Sequence, residues 1–250
     1  MRRKYRSTAK WIFLVATLVV WEFSNVPQYL LPKPSSIVSQ MISQWRILLV
    51  HSLYTIAESL SGLAIGLVIG VGLAVLIDTF QFIREILYPV LIVSQAIPIV
   101  AVAPLVVIWF GLGIGTKVGV VAFVTLFPVA LNTLEGFRTI DPDALDLFRV
   151  MKATRTQIYR YLIIPHTLPY VFSGLKISAT YAVVSAVIGE WLGAEKGLGI
   201  YMIRAMNTFR ADRLFVSIVI VVILSVAVFK MVDLLSRRFT PWFEERRMVT

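Results

Sequence analysis

The feature that most constrains this chain is a series of apolar runs, most of them near the roughly 20 residues that a helix needs to cross a bilayer. The sequence is 58% hydrophobic and 15% charged, whereas an ordinary soluble domain is about 45–50% apolar and about 25% charged. Lipid offers no partners for backbone N–H and C=O groups, so each run must satisfy them within its own helix. The sequence therefore predicts an all-α polytopic membrane protein with a single transmembrane domain.

Six transmembrane helices are predicted, over residues 8–29, 51–77, 86–110, 117–134, 170–192 and 214–235. The first follows a basic start like that of a signal peptide, but no small-x-small cleavage pattern comes after it, so we interpret it as an uncleaved span. In the second, Gly62, Gly66 and Gly70 recur every four residues and predict close approach of another helix. In the third, proline is expected to loosen the helix and free carbonyl groups to line a kink or a cavity.

The basic residues predict which side of the membrane each break faces. With the N-terminus inside, the inner segments hold about fifteen Lys and Arg and the outer segments hold six, in keeping with the excess of positive charge on cytoplasmic loops. Both termini and the break after the fourth span are therefore predicted to be cytoplasmic. The net charge of +10 does not indicate nucleic-acid binding, because no continuous basic face with interleaved aromatic residues occurs.

Signatures of catalysis and of cofactor binding are absent from the sequence. The nearest approach to a phosphate-binding loop, GLGIGTK at residues 111–117, lacks the glycine before its lysine. His51 and His166 are the only histidines and do not have a metal-binding spacing. There is no cysteine, which excludes disulfides and thiolate chemistry. We therefore predict no catalytic residue, metal or cofactor in this chain.

Polar groups inside the spans are the candidates for a solute path, because such groups are costly in hydrocarbon. The candidates are Ser94, Gln95, Pro98, Tyr181, Ser185 and Glu190. The uncharged ones suit either a path lining or hydrogen bonds between helices. Glu190 lies near an outer span end, where it could form a wall or gate of the path or bond to backbone or to an arginine of the outer loop. Glu58 is open to the same two interpretations, with the bonding role favoured.

The segment 141–164 is a charged, helix-patterned break between the fourth and fifth spans. Asp141 is a good N-cap and Pro142 a good first helical residue. Apolar residues recur at three-, four- and seven-residue spacing and predict one apolar face. The members of that face are Ala144, Leu147, Met151, Ile158 and Leu162. Pro165 and Pro169 are predicted to interrupt the helix before the fifth span. Such a helix can lie on the inner leaflet, or it can dock its apolar face into a groove on a soluble partner.

This segment resembles the cytoplasmic loop of transmembrane subunits of binding-protein-dependent ATP-binding-cassette (ABC) importers, whose EAA motif reads E-A-A-x-x-x-G-x9-I-x-L-P. With the motifs aligned on Pro165, the acidic residue falls at Asp146 and the glycine at Lys152. The acid, Leu162 and the proline are kept, while both alanines and the glycine are replaced, so the copy is degenerate.

Other stretches carry the same resemblance along most of the chain. They are LLPKPSSIV, IPIVAVAPLVVIWFGLGIGTK, FPVALNTLEGFRTIDP and LPYVFSGLKIS. In combination they look like the subgroup that imports sulfonates, nitrate, or thiamine and riboflavin precursors. The stretch GEWLGAEKGLG at residues 189–199 looks closer to the precursor branch.

The resemblance implies a type I ABC importer-like fold with cytoplasmic N- and C-termini, in the plasma membrane of a prokaryote (the cell inner membrane if Gram-negative). The partners it implies are cytoplasmic ABC ATPase subunits, a second permease copy forming a homodimer, and an extracytoplasmic substrate-binding protein. It makes 141–164 the coupling segment, with ATP hydrolysis on the separate ATPase. The ATPase-docking candidates are Asp146, Leu147, Phe148, Met151, Lys152 and Pro165.

Two other classes of protein compete with an importer permease. One is a secondary transporter driven by H⁺ or Na⁺, with Glu58 or Glu190 as its coupling carboxylate. The other is an intramembrane enzyme, which is disfavoured because no paired carboxylates, histidine cluster or nucleophile–base pair occurs at a plausible spacing. The identity of the solute is left open by the sequence.

Overall fold

The computed structural model describes residues 13 and 15–243, all of it helices, turns and loops without a β-strand. Part of the predicted first span lies outside the described residues, and its described helical part, α1, covers residues 15–22. The other α-helices are α2 (Pro34–Ser43), α3 (Trp45–Thr79), α4 (Gln81–Ser94), α5 (Ile99–Phe110), α6 (Ile114–Arg138), α7 (Pro142–Val150), α8 (Arg155–Ile158), α9 (Ile164–Trp191), α10 (Leu198–Asn207) and α11 (Ala211–Phe239). A π-helical segment, Tyr159–Ile163, joins α8 to α9.

The core is built where α3, α6 and α9 pack against one another. The glycine stripe of α3 faces α6, and a Cβ atom at Gly66 would overlap the hydroxyl oxygen of Thr125. On α9, a Cβ atom at Gly174 would lie 2.8 Å from the Cα of Val129 in α6. Small residues let helices approach closely in membranes, where packing replaces the hydrophobic effect as the force between helices. The predicted close approach at the glycine stripe is therefore confirmed.

Four helices of the described chain are long and apolar enough to cross a membrane: α3, α6, α11 and the continuous helix Arg155–Trp191. The predicted third span is not one straight helix. It consists of α4 and α5, which are bent by 112° at a break over residues 95–98. Pro98 lies at this break with φ −63° and ψ 125° and caps α5. Because proline has no N–H and disfavours a helical residue before it, the chain leaves the helix here.

The prediction that Pro165 and Pro169 interrupt the helix is wrong, since helical structure continues from Arg155 to Trp191. Pro165 lies at the start of α9, directly after the π-helical segment. The π-helical segment before it changes the hydrogen-bond register, so that the Ile164 N–H donates to the carbonyl of Tyr159. Pro169 is accommodated inside α9. The segment that follows α7 is therefore continuous with the fifth predicted span.

Candidate functional site

The coupling segment begins as the sequence predicts. The Asp141 side chain accepts a hydrogen bond of 2.9 Å from the Asp143 N–H, and Pro142 occupies the first helical position. However, α7 ends at Val150, and α8 starts only after Thr154, which forms a capping box with Gln157. The predicted apolar face therefore does not run along one helix from Ala144 to Leu162, because a turn divides it.

The end of α7 carries a cluster of exposed apolar side chains. Leu147 is 59% exposed, Val150 80% and Met151 70%. Residues three and four positions apart are neighbours on a helix surface, so these three side chains form one patch, which we call the coupling patch. Sequence analysis did not select Val150, although it lies three positions after Leu147 and therefore on the same helix face.

The other docking candidates have different surroundings. Asp146 lies beside the patch and forms an exposed ion pair with Arg149, with 2.9 Å between Oδ1 and Nη1. Phe148 and Pro165 are only half-exposed. Lys152 is exposed and has a φ of +56°, in the left-handed region. This is the position that aligns with the glycine of the EAA motif, and glycine is the residue that adopts such a φ without steric cost.

Three of the predicted path residues line one cavity of about 240 Å³ between the α4–α5 break, α6 and α9. They are Ser94, Gln95 and Tyr181. Its further lining residues are Ile97, Ile99, Val102, Phe123, Val124, Phe127 and Pro128. Phe123 and Phe127 are packed edge to face, with ring centroids 5.0 Å apart. No sequence signal separates these two phenylalanines from other apolar span residues, so sequence analysis did not find them.

The remaining path candidates are not brought to this cavity. Pro98 is exposed at the helix break beside it but is not part of its lining. Ser185 and Glu190 are buried in the helix core. Glu190 has no exposed surface at all. The predicted path residues therefore fall into two groups in the structure: some line the cavity, and others are buried in the helix core.

The Glu190 carboxylate joins α9 to α3 and to the start of α10. Its Oε1 atom accepts a hydrogen bond of 2.6 Å from the Thr55 hydroxyl, and its Oε2 atom accepts one from the Gly199 N–H. The sequence left open whether Glu190 forms a wall or gate of the path or bonds to backbone or to an arginine. In this structure its carboxyl group bonds to backbone. These hydrogen bonds join the loop between α9 and α10 to the helix core.

Two further bonds hold the same loop to α3. The Leu198 N–H donates to Thr55 Oγ1 at 2.9 Å, and the Gly197 N–H donates to His51 Nδ1 at 2.9 Å. Gly197 has a φ of +128°, and a Cβ atom there would overlap the Glu190 carboxyl group. His51 and Thr55 looked like ordinary polar residues of a span, so only their contacts identify them.

Glu58 lies in the same buried region and pairs with Lys117, with 3.6 Å between Oε1 and Nζ. Within the described part of the chain, neither carboxylate oxygen of Glu58 has a hydrogen-bond partner. The carboxyl groups of Glu58 and Glu190 also interact electrostatically with each other. Neither of them lines the cavity. Among the described residues, no group of three or more His, Asp or Glu side chains could hold a metal ion.

The fold and these sites define a class of protein: a helical membrane permease with an uncharged cavity beside a helix break and an apolar patch on its longest polar break. The chain belongs to the family of binding-protein-dependent transport system inner membrane components, whose model matches residues 62–241. The resemblance seen in the sequence is thereby confirmed. This is a family of transport permeases and not of enzymes.

Curated relatives match nearly the whole chain. It is 36% identical to the formylaminopyrimidine transport permease protein ThiX of Halalkalibacterium halodurans, over 97% of this chain and 98% of the relative. It is 31% identical to the riboflavin transport system permease protein RibX of Chloroflexus aurantiacus, over 92% and 88%. It is 26% identical to the taurine transport system permease protein TauC of Escherichia coli, over 95% and 86%.

The fold is also that of a solved transporter structure. The chain superposes on a chain of the MetNI methionine ABC transporter in an inward-facing conformation with a TM-score of 0.67. The match covers 79% of this chain and 98% of that one, at 20% sequence identity. The likeness establishes the fold of an ABC importer permease.

Proposed function

We propose that this chain is the membrane-spanning subunit of an ATP-driven importer in the plasma membrane of a prokaryote. It has six spans with both termini in the cytoplasm, and two identical copies form the solute pathway. Cytoplasmic ABC ATPase subunits power it, and an extracytoplasmic binding protein delivers the solute. The solute is a small sulfonate- or nitrate-like anion or a thiamine- or riboflavin-type vitamin precursor, in keeping with the transport activities named for ThiX, RibX and TauC.

The observation that carries the proposal is the coupling patch. Leu147, Val150 and Met151 expose apolar surface at the end of a helix that lies outside the candidate spans. An amphipathic helix that places an apolar face in a groove is a common mode of protein recognition. Closure of the ATPase dimer would move this helix as a rigid body and switch the pathway between inward and outward states. Because the segment after α7 is continuous with α9, such a movement would reach the membrane core directly.

The alternative function, an ion-coupled secondary transporter, would use Glu58 or Glu190 as its coupling carboxylate. The contacts of these two residues do not support that role. Glu190 is fully buried and bonds to Thr55 and to backbone. Glu58 is paired with Lys117. An ion-coupling carboxylate has to be reached from the solute path, and neither of these lines the cavity. Their contacts support a role in holding helices together.

The proposal is tested by introducing charge into the coupling patch. Leu147→Asp places a carboxylate where an apolar groove would receive it, and Leu112→Asp is the matched control, since Leu112 is 60% exposed in the turn between α5 and α6. We expect the first variant to lose copurification of the ATPase and ATP-dependent uptake by at least about tenfold, and the second to retain both. The charge-reversed double variant Asp146→Lys, Lys152→Asp should also lose uptake. ATPase-independent uptake, or normal uptake by these variants, would contradict the proposal.

A further inference from the structure

The cavity at the α4–α5 break contains polar groups that the protein itself does not use. The Gln95 amide and the Tyr181 hydroxyl have no hydrogen-bond partner within the described chain, whereas the Ser94 hydroxyl donates to the Leu91 carbonyl at 2.9 Å. The amide offers two donors and one acceptor group, and the phenol offers one donor and one acceptor. In a membrane region, polar side chains without protein partners mark the path of a solute.

The lining of this cavity carries no charge. All ten of its residues are apolar, aromatic or neutral polar. An anion that leaves water needs a cation or several charge-assisted hydrogen bonds to offset the loss of hydration. The cavity supplies neither arginine nor lysine. A sulfonate or nitrate would therefore meet a barrier here, while an uncharged solute would not.

The aromatic residues of the lining indicate the shape of that solute. Phe123, Phe127 and Tyr181 all line the cavity, and the rings of Phe123 and Phe127 pack edge to face with each other. Aromatic rings pack best against other flat rings, in offset or edge-to-face arrangements. Gln95 adds a group able to donate to and accept from a ring nitrogen or an exocyclic amine at the same time. Together these features suit a flat heteroaromatic molecule.

The volume of the cavity limits the size of the solute that it can hold. The cavity measures about 240 Å³, which lies below the range of about 300–1,000 Å³ that is common for sites of drug-sized ligands. A single substituted ring matches such a space better than a fused three-ring system.

We propose that this cavity is a selectivity site for an uncharged, single-ring heteroaromatic solute of the aminopyrimidine kind, with Gln95 and Tyr181 as its hydrogen-bonding residues. The inference rests on the proposed importer function and selects one of the solute classes named there. It also assigns a role in specificity to the permease, in addition to that of the binding protein.

The test measures equilibrium binding of radiolabelled formylaminopyrimidine to the full-length permease–ATPase complex in nanodiscs, without binding protein. We expect saturable binding that excess taurine or nitrate does not displace and that riboflavin displaces poorly. Gln95→Leu and Tyr181→Phe each remove hydrogen-bonding groups from a largely exposed side chain, so the fold should be retained and affinity should fall about tenfold. Tyr29→Phe, an exposed tyrosine outside both the cavity and the coupling segment, is the control and should bind as the unaltered chain does.

Displacement by taurine, equal affinity for riboflavin, absence of aminopyrimidine binding, or unchanged affinity in both cavity variants would overturn the inference. ATP-dependent uptake in vesicles, measured in parallel, separates this failure from failure of the proposed function. Uptake of a sulfonate that requires the ATPase would leave the importer function intact and refute the solute class. Uptake that continues without any ATPase would refute the importer itself.

Discussion

The Thr55 hydroxyl donates a hydrogen bond of 2.6 Å to the Glu190 carboxylate, although the two residues are 135 positions apart in the chain. This bond lies where α3, α9 and the start of α10 meet. The same hydroxyl accepts from the Leu198 N–H, and the same carboxylate accepts from the Gly199 N–H. One buried carboxyl group thus positions the loop between α9 and α10, which the proposed topology places on the outer face.

Replacing Glu190 by alanine should destabilise this junction strongly. The change leaves the Thr55 hydroxyl and the Gly199 N–H without their acceptor in a buried region, and each such loss costs about 1–3 kcal/mol. We expect the free energy of unfolding, measured by titrating the purified permease with SDS, to fall by that order. Glu195→Ala removes an exposed carboxylate from the same loop and should have little effect. Equal effects of the two substitutions would show that Glu190 does not hold the loop.

The Glu58–Lys117 pair predicts a rescue between two substitutions. Lys117→Met leaves the buried Glu58 carboxylate without its cation, and breaking a buried pair in this way typically costs about 3–5 kcal/mol. Adding Glu58→Gln removes the uncompensated charge, so the double variant should recover much of the lost stability. Unfolding of the single and double variants in the same SDS titration measures this coupling. If the losses of stability caused by Lys117→Met and Glu58→Gln simply add in the double variant, the two residues do not form a pair.

Two glycines of α3 predict opposite effects of the same substitution. Gly66→Ala would force a methyl group against Thr125 of α6, and overpacking of this kind costs about 1–3 kcal/mol. Gly72 has open space around its Cβ position, so Gly72→Ala should stabilise the helix by about 0.5–1 kcal/mol. Both variants are measured by thermal unfolding in detergent. Similar shifts for both would mean that α3 and α6 are not in close contact at Gly66.

The left-handed backbone at Lys152 predicts a gain in stability on substitution by glycine. A residue with a Cβ atom is destabilised by about 1–2 kcal/mol in this conformation. Glycine avoids that cost, but its greater conformational freedom in the unfolded chain offsets part of the gain in stability. We expect Lys152→Gly to raise the melting temperature slightly. Lys152→Ala keeps the Cβ atom and should give no such gain. A gain for alanine as large as that for glycine would contradict the backbone explanation.

Much of the architecture could be predicted because it depends on local composition and spacing. The apolar runs identified the helices that became α3, α6, α9 and α11, and the N-cap at Asp141 marked the start of α7. The helix ends were less predictable. Pro165 looked like a breaker, but a preceding π-helical segment accommodates it. Proline can end a helix or lie within its first turn, and the sequence does not distinguish the two.

The candidate sites were predicted only in part. Ser94, Gln95 and Tyr181 do share a cavity, but Glu190 and Ser185 lie in the core. All these positions have the same signature in the sequence, a polar residue within or beside an apolar span. Whether such a residue faces a cavity or another helix depends on how the helices are rotated against one another.

The sequence by itself determined that this chain is a helical membrane protein, because composition and charge distribution are properties of contiguous residues, and its motifs carried the resemblance to the importer-permease family. Only the tertiary structure decided that Glu190 binds Thr55 and Gly199, that Phe123 and Phe127 join Gln95 at one cavity, and that the third predicted span is bent by 112°. These relationships join distant positions of the chain or depend on the angle between helices. Packing sets both, and no local pattern encodes them.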